Sequence, residues 1–174
     1  LAQNIIPIYL DEATEREQMS HCLDLAVSLT GKHPVGYCSP RCTPSLSTSK
    51  LLAENGLKYT IDWMGSDLPM VEHTEAGDIG LMPFPMNVND MPLYVRYGNA
   101  PDQYYRNLVD EFENWYAKHP EEKVVYWITA HSHVFGRPFG AVQFQRCIQY
   151  IKSLPYVWIA QPHEVASTVL DVTY

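Results

Sequence analysis

His131-Ser132-His133 is the triplet with the most chemical potential in the chain. Side chains two residues apart share a face of an extended backbone, so both imidazoles could meet one metal or one proton path. As an isolated pattern H-x-H is weak, and one buried histidine beside one exposed histidine explains it equally well. Arg41 lies in the turn-rich stretch Cys38-Ser39-Pro40-Arg41-Cys42-Thr43-Pro44-Ser45. A guanidinium there could orient a carboxylate or clamp an anion; a solvated surface arginine is the plainer alternative. Asp62 and Asp67 follow a candidate strand and could act as base, metal ligand or histidine partner, although loop aspartates more often cap helices or turns. Cys38 and Cys42, beside Arg41, could include a reactive thiol.

Positioning these groups requires strands that end where they stand. Residues 124–130, VVYWITA, are an unbroken apolar run rich in β-branched and aromatic side chains. That pattern predicts a central strand buried on both faces and ending at His131. Residues 34–37 predict a short extended piece before Cys38, and residues 57–61 a strand running into Asp62. Residues 79–83 predict a strand at a sheet edge, given Pro83 and Pro85, and residues 157–160 a last strand. Helices are predicted between them. The first, residues 11–31, has Thr14 and Glu17 in capping-box spacing, Gly31 as its stop, and a stripe of Met19, Cys22, Leu23, Ala26 and Leu29 that covers a sheet. Residues 47–55 predict a short helix. Residues 102–119 predict the longest, with Tyr105, Leu108, Phe112 and Trp115 inward. Residues 139–154 follow with Val142, Cys147, Ile148 and Ile151 inward, then residues 163–170. Residues 87–92 read as a polar loop.

Strand and helix in alternation predict an α/β domain with a mostly parallel sheet. The strand candidates are too few for a closed eight-stranded barrel. Residues 1–174 therefore read as one domain without internal repeats, either a small open sheet or the later part of a larger barrel. Chemistry in such folds collects beyond the carboxyl ends of strands, so His131, Arg41 and Asp67 are expected to converge on one cleft.

Composition excludes some functions. A net charge of −8 without any Lys/Arg cluster argues against a nucleic-acid partner. No apolar run reaches the ~18 residues of a membrane span. Residues 1–10 lack the basic start and cleavage pattern of a secretory leader, so a cytoplasmic setting is expected. The four cysteines show no zinc-finger spacing and are expected as free thiols.

Five segments then stand out in order: Leu29-Thr30-Gly31-Lys32-His33-Pro34-Val35-Gly36-Tyr37; Ser39-Pro40-Arg41-Cys42; Asp62 with Asp67-Leu68-Pro69; Asn89-Asp90-Met91; and Ala130-His131-Ser132-His133-Val134-Phe135-Gly136-Arg137-Pro138. Together they resemble the polysaccharide deacetylase superfamily (NodB homology, carbohydrate esterase family 4). The nearest branch is that of PuuE-type allantoinases, cyclic imide hydrolases and peptidoglycan-deacetylase-like proteins, and the likeness covers most of the chain. It implies that residues 1–174 are the C-terminal portion of a distorted (β/α)7-type barrel, a single partial catalytic domain. It also implies hydrolysis of a carbon–nitrogen bond that is not a peptide bond. The substrate would be an N-acetylated amino-sugar polymer or a cyclic amide, ureide or imide such as allantoin. His131 would be the general acid. Arg41 would orient the catalytic carboxylate or the substrate, and Asp67, less directly Asp62, would tune the histidine. Asp62, Trp63, Asn89 and Arg137 are the expected substrate contacts. His133 receives no role.

The chain also departs from the family pattern. Most deacetylases carry an early Asp-Asp motif and a later His-x-x-x-His pair, and neither is present. They would fall upstream of Leu1, so Zn2+ would be held through upstream ligands, and no metal ligand is assigned within the chain. The family's deacetylases with Arg directly after the strand's aromatic residue would place it where this chain has Cys38. That favours the allantoinase-like branch, some of whose members are thought to work without the usual metal. A homo-oligomer is compatible with this reading. The rival is a catalytically inactive relative serving as a binding module or scaffold.

Overall fold

The computed structural model describes residues 4–84, 86–119, 121 and 123–171. They fall into two compact units, Leu1–Phe84 with Ala160–Tyr174, and Pro85–Ile159.

The first unit is built on a four-stranded sheet in the order β1-β2-β4-β3, with β1 at Gly36–Tyr37, β2 at Tyr59–Trp63, β3 at Met70–Thr74 and β4 at Gly77–Pro83. β1, β2 and β4 are parallel, as the alternation of strand and helix predicts; β3 turns back antiparallel to β4. β1 passes so near Tyr59 that a Cβ on Gly36 would lie 2.0 Å from the ring Cζ, so any larger residue there would have to displace that ring. β2 runs further than expected, and Asp62 and Trp63 are strand residues. β3 is absent from the sequence reading. It takes the edge that residues 79–83 were expected to hold, and β4 is an interior strand whose Pro83 sits at its last position, where a missing N–H is tolerated.

α1, Glu12–Thr30, begins at Asp11 and not at Thr14: the Asp11 carboxylate accepts from the Thr14 backbone N–H at 2.8 Å. Gly31 closes it in the left-handed region at φ 68°, donating to the Val27 carbonyl. Met19 and Leu23 are buried and pack with Leu51, Leu52, Leu57 and Ile79; Leu29 is exposed, so the buried stripe is shorter than predicted. Glu15 is also buried, and its carboxylate accepts from Thr48 Oγ1 at 2.5 Å and from Ser45 Oγ. That clamp joins α1 to the start of α2, Thr48–Glu54. α5, Pro162–Leu170, returns to pack on β3 and β4, opened by a capping box between Gln161 and Glu164.

The second unit packs α3, Gln103–Asn114, against α4, Pro138–Ser153. α3 is shorter than predicted and is not the longest helix: it stops at Asn114, and a 3-10 turn follows at Tyr116–Lys118. The change of winding rotates the inward face. Tyr104, Leu108, Phe112 and Tyr116 are buried, Tyr105 is half-buried, and Trp115 points outward. On α4, Cys147 and Ile151 face inward, Ile148 is half-buried and Val142 is exposed.

The run at residues 124–130 is not a strand buried on both faces. Residues 124–128 have no regular secondary structure, residues 124–129 are half-buried, and the run pairs through a single parallel bridge between Asn89 and Thr129. Its partner limits it, because residues 88–90 turn at once into a π-helical segment, Met91–Arg96, leaving one position to pair. Val88, Asn89 and Asp90 are buried, which corrects the expected polar loop. Residues 157–160 form no ladder among the described residues, and Trp158 and Ile159 are exposed. No helix of the described residues is long and apolar enough to cross a membrane.

Candidate active site

The lone bridge at Thr129 sets the site. Thr129 N–H donates to the Val88 carbonyl at 2.9 Å, and the Thr129 carbonyl accepts from Asp90 N–H at 3.3 Å and from the Tyr104 hydroxyl at 3.1 Å. This pairing brings Asp90 against the turn that begins at His131. Asp90 is fully buried. Its Oδ2 accepts from the backbone N–H groups of His131 (2.7 Å) and Phe135 (3.3 Å), and its Oδ1 stands 2.5 Å from His131 Nδ1. An ionised carboxylate only accepts, so the proton between them belongs to Nδ1 and Nε2 is the working nitrogen. The His131 side chain is 38% exposed, so one edge of the ring is held by a buried carboxylate and the rest is open. The turn is tight: a Cβ on Gly136 would lie 2.1 Å from the Ser132 carbonyl oxygen, and one on Gly140 2.6 Å from Phe135 Cα.

The carboxylate on the histidine is thus Asp90, where the resemblance gave that place to Asp67 or Asp62. The Asn89-Asp90-Met91 motif carried the signal, but nothing local marks Asp90 as a buried partner of a residue 41 positions away. Asn89 is itself 95% buried, and its side-chain oxygen accepts from Met91 N–H at 3.0 Å, which holds the start of the segment that follows. Arg137 is exposed at the N-cap of α4. His133 is exposed, its ring 5.7 Å from that of His131 in an edge-to-face arrangement. Among the described residues these two imidazoles offer no third ligand, and a zinc site normally takes three or four protein ligands. The pair alone does not complete a metal centre.

The remaining candidates lie in the first unit. Arg41 is exposed, adopts a left-handed backbone (φ 60°), and makes no ion pair among the described residues. Asp67 is exposed in the β2–β3 connection. Trp63 is half-buried, with its indole N–H buried and without a partner. Asp62 is buried at the end of β2. Both its oxygens accept the Ser39 backbone N–H at 3.0 Å, and Oδ2 also accepts from Thr60 Oγ1 at 2.8 Å. These bonds place Asp62 beside Cys38 and Cys42, whose sulfurs are 3.9 Å apart. The hydrogen bond between the thiols pushes Cys38 up, with burial and Asp62 adding to it, and pulls Cys42 down. The expected cleft shared by Arg41, Asp67 and His131 would draw on both units and is a property of neither alone.

Three strands of the first unit's sheet run parallel, and the second unit holds a histidine against a buried aspartate. No family model matches the chain. Its fold is that of the crystal structure of PuuE allantoinase, with a TM-score of 0.82 and 30% identity over 93% of this chain and 54% of that one. A probable polysaccharide deacetylase from Pseudomonas aeruginosa PAO1 gives a TM-score of 0.80 and 29% identity over 93% of this chain and 55% of that one. In sequence, 109 residues are 30% identical to the peptidoglycan deacetylase-like protein FGM2 of Gibberella zeae, covering 62% of this chain and 30% of that protein. The resemblance expected from the five motifs, and the mostly parallel α/β fold it implied, are borne out. The chain spans about half the length of the solved relatives it matches.

Proposed function

We propose that the protein hydrolyses a carbon–nitrogen bond outside the peptide backbone, with His131 as general acid and Asp90 as the residue that positions it. The reaction is N-deacetylation of an amino sugar or opening of a cyclic amide, ureide or imide. The observation that carries this reading is the 2.5 Å contact between the buried Asp90 carboxylate and His131 Nδ1. Similarity to a protein named as an allantoinase and to others named as deacetylases supports it.

In such a reaction a base takes a proton from water as its oxygen adds to the carbonyl carbon, and a tetrahedral oxyanion forms. The carbon–nitrogen bond then breaks only if the nitrogen leaves with a proton. The Nε2–H of the His131 imidazolium supplies it, and Asp90, fixed by two backbone N–H groups, stabilises the charged ring and keeps Nδ1 as donor throughout. Arg41, an exposed guanidinium without an ion pair among the described residues, suits a carbonyl or anionic group of the substrate.

The test is His131→Ala in the full-length protein, assayed on a cyclic imide, on allantoin and on an N-acetylated sugar oligomer. The expected result is a ~10²–10⁴-fold fall in turnover per folded molecule, far beyond the effect on stability, which is a fall in melting temperature of roughly 2–8 °C from the lost bond to Asp90. Unchanged turnover per folded molecule refutes the assignment.

A further inference from the structure

We propose that Cys38, Cys42 and Asp62 together bind one thiophilic divalent cation, for which Zn2+ is the best fit. This site lies within the chain, where the sequence reading assigned no metal ligand, and it is independent of the hydrolytic reading.

Geometry is the first argument. The ligand atoms of the three side chains all lie within 4.8 Å of one another, although Asp62 is distant from the cysteines in sequence. Two thiolates on one tetrahedral Zn2+, each at ~2.3 Å, stand about 3.8 Å apart; the two sulfurs here are 3.9 Å apart. A disulfide would require them to close to ~2.05 Å.

Charge is the second. Asp62 is 93% buried, yet no Lys, Arg or His lies within ion-pair distance of it among the described residues. Its bonds to Ser39 and Thr60 orient the carboxylate without neutralising it. A cation held between it and the thiolates supplies the missing partner, which a disulfide would not. Ser39, whose N–H holds Asp62, is 98% buried, and its Oγ has no partner.

The backbone is shaped to the same end. Arg41 and Cys42 are consecutive non-glycine residues in the left-handed region, at φ 60° and 52°. L-residues adopt that region at a steric cost, and the pair lies in the loop that sets the Cys42 and Cys38 sulfurs 3.9 Å apart.

The donor set selects the ion. Calcium and magnesium require oxygen shells, whereas two sulfurs and one carboxylate suit Zn2+ better than softer Cu(I). Each thiol that ligates releases its proton to solvent as its sulfur–metal bond forms. Three protein ligands leave a fourth tetrahedral position open.

The experiment is cobalt titration of the full-length protein, stripped with chelator under reducing conditions. A thiolate-to-cobalt charge-transfer band is expected at one equivalent, displaced by Zn2+. Oxygen and nitrogen ligands elsewhere in the protein cannot give that band. Cys38→Ser and Cys42→Ser, near-isosteric and checked for folding by circular dichroism, are each expected to abolish it. Asp62→Asn should weaken cobalt binding by at least the ~10–100-fold that outer-shell partners are worth. Absence of the band in the wild type, its survival in either serine variant, or recovery of Cys38 and Cys42 joined as a disulfide from reduced protein overturns the proposal.

Discussion

Replacing Asp90 by Asn removes a charge and almost no volume, and it separates the two tasks of this carboxylate. Oδ2 accepts the backbone N–H groups of His131 and Phe135 at 2.7 and 3.3 Å. An amide oxygen in that place keeps both bonds. Oδ1 faces His131 Nδ1 at 2.5 Å. There the variant presents an NH2 group, so Nδ1 must accept and the ring proton moves to Nε2. Protonating that ring would set two donors against each other, and a neutral imidazole is a poor acid. In folding terms one charge-assisted bond becomes a neutral one, a loss of about 1–2 kcal/mol. For a chain of this length that is a fall in melting temperature of roughly 2–8 °C. In catalysis the whole general-acid contribution is at stake, ~10²–10⁴-fold in turnover, or about 3–5 kcal/mol of barrier. The two effects are separable by measuring turnover across pH, thermal unfolding, and the imidazole nitrogen resonances by NMR. Asp90→Ala is the contrasting variant: it strands three N–H donors in a buried place and should cost ~3–5 kcal/mol of stability. An Asn variant with wild-type turnover, or one whose Nδ1–H resonance persists, refutes the reasoning.

Glu15→Ala should destabilise the protein by ~2–4 kcal/mol by stripping the Ser45 and Thr48 hydroxyls of their buried acceptor, measured by urea unfolding, while Glu15→Gln loses less. Tyr104→Phe should cost ~0.5–1.5 kcal/mol by removing one of two donors to the Thr129 carbonyl; a neutral outcome would mean that carbonyl needs only Asp90. In metal-free protein near neutral pH, mass-mapped alkylation should label Cys42 before Cys147. The hydrogen bond from Cys38 lowers the first thiol, whereas burial pushes the second up to about 12. Because the folded state favours the neutral Cys147 thiol, its contribution to stability is complete below the ordinary thiol value of ~8.5 and falls as pH rises from there towards 12. Equal labelling rates would contradict both directions.

The helices were legible where local chemistry decides them. Gly31 stopped α1, and Pro162 opened α5, because caps act within a few residues. The strands were less so, since a strand is a relation between segments. Residues 124–130 have the composition of a buried strand, but their neighbour turns into Met91–Arg96 after one bridge. β3, MVEHT, escaped notice because an exposed edge strand needs no apolar alternation. Trp115 was placed inward by extending a helical period past Asn114, where the winding changes and Tyr116 takes the buried place. The same limit governs the site. His131 announced itself by type and motif, but its carboxylate lies 41 residues earlier in what reads as a turn, and beyond the Asn89-Asp90-Met91 motif it is burial that distinguishes Asp90 from other loop aspartates.

Gly140 gives the histidine turn a remote control point. It stands in the first turn of α4, nine positions after His131 and without chemistry of its own, yet a methyl group there would press within 2.6 Å of Phe135 Cα. Phe135 N–H is bonded to the carboxylate oxygen that also holds the His131 backbone. Pressure from α4 would therefore reach the imidazole through two backbone bonds rather than through solvent. Natural variation or directed evolution at Gly140 would register as altered turnover while every reacting residue kept its identity, so a search confined to residues that touch substrate would overlook it.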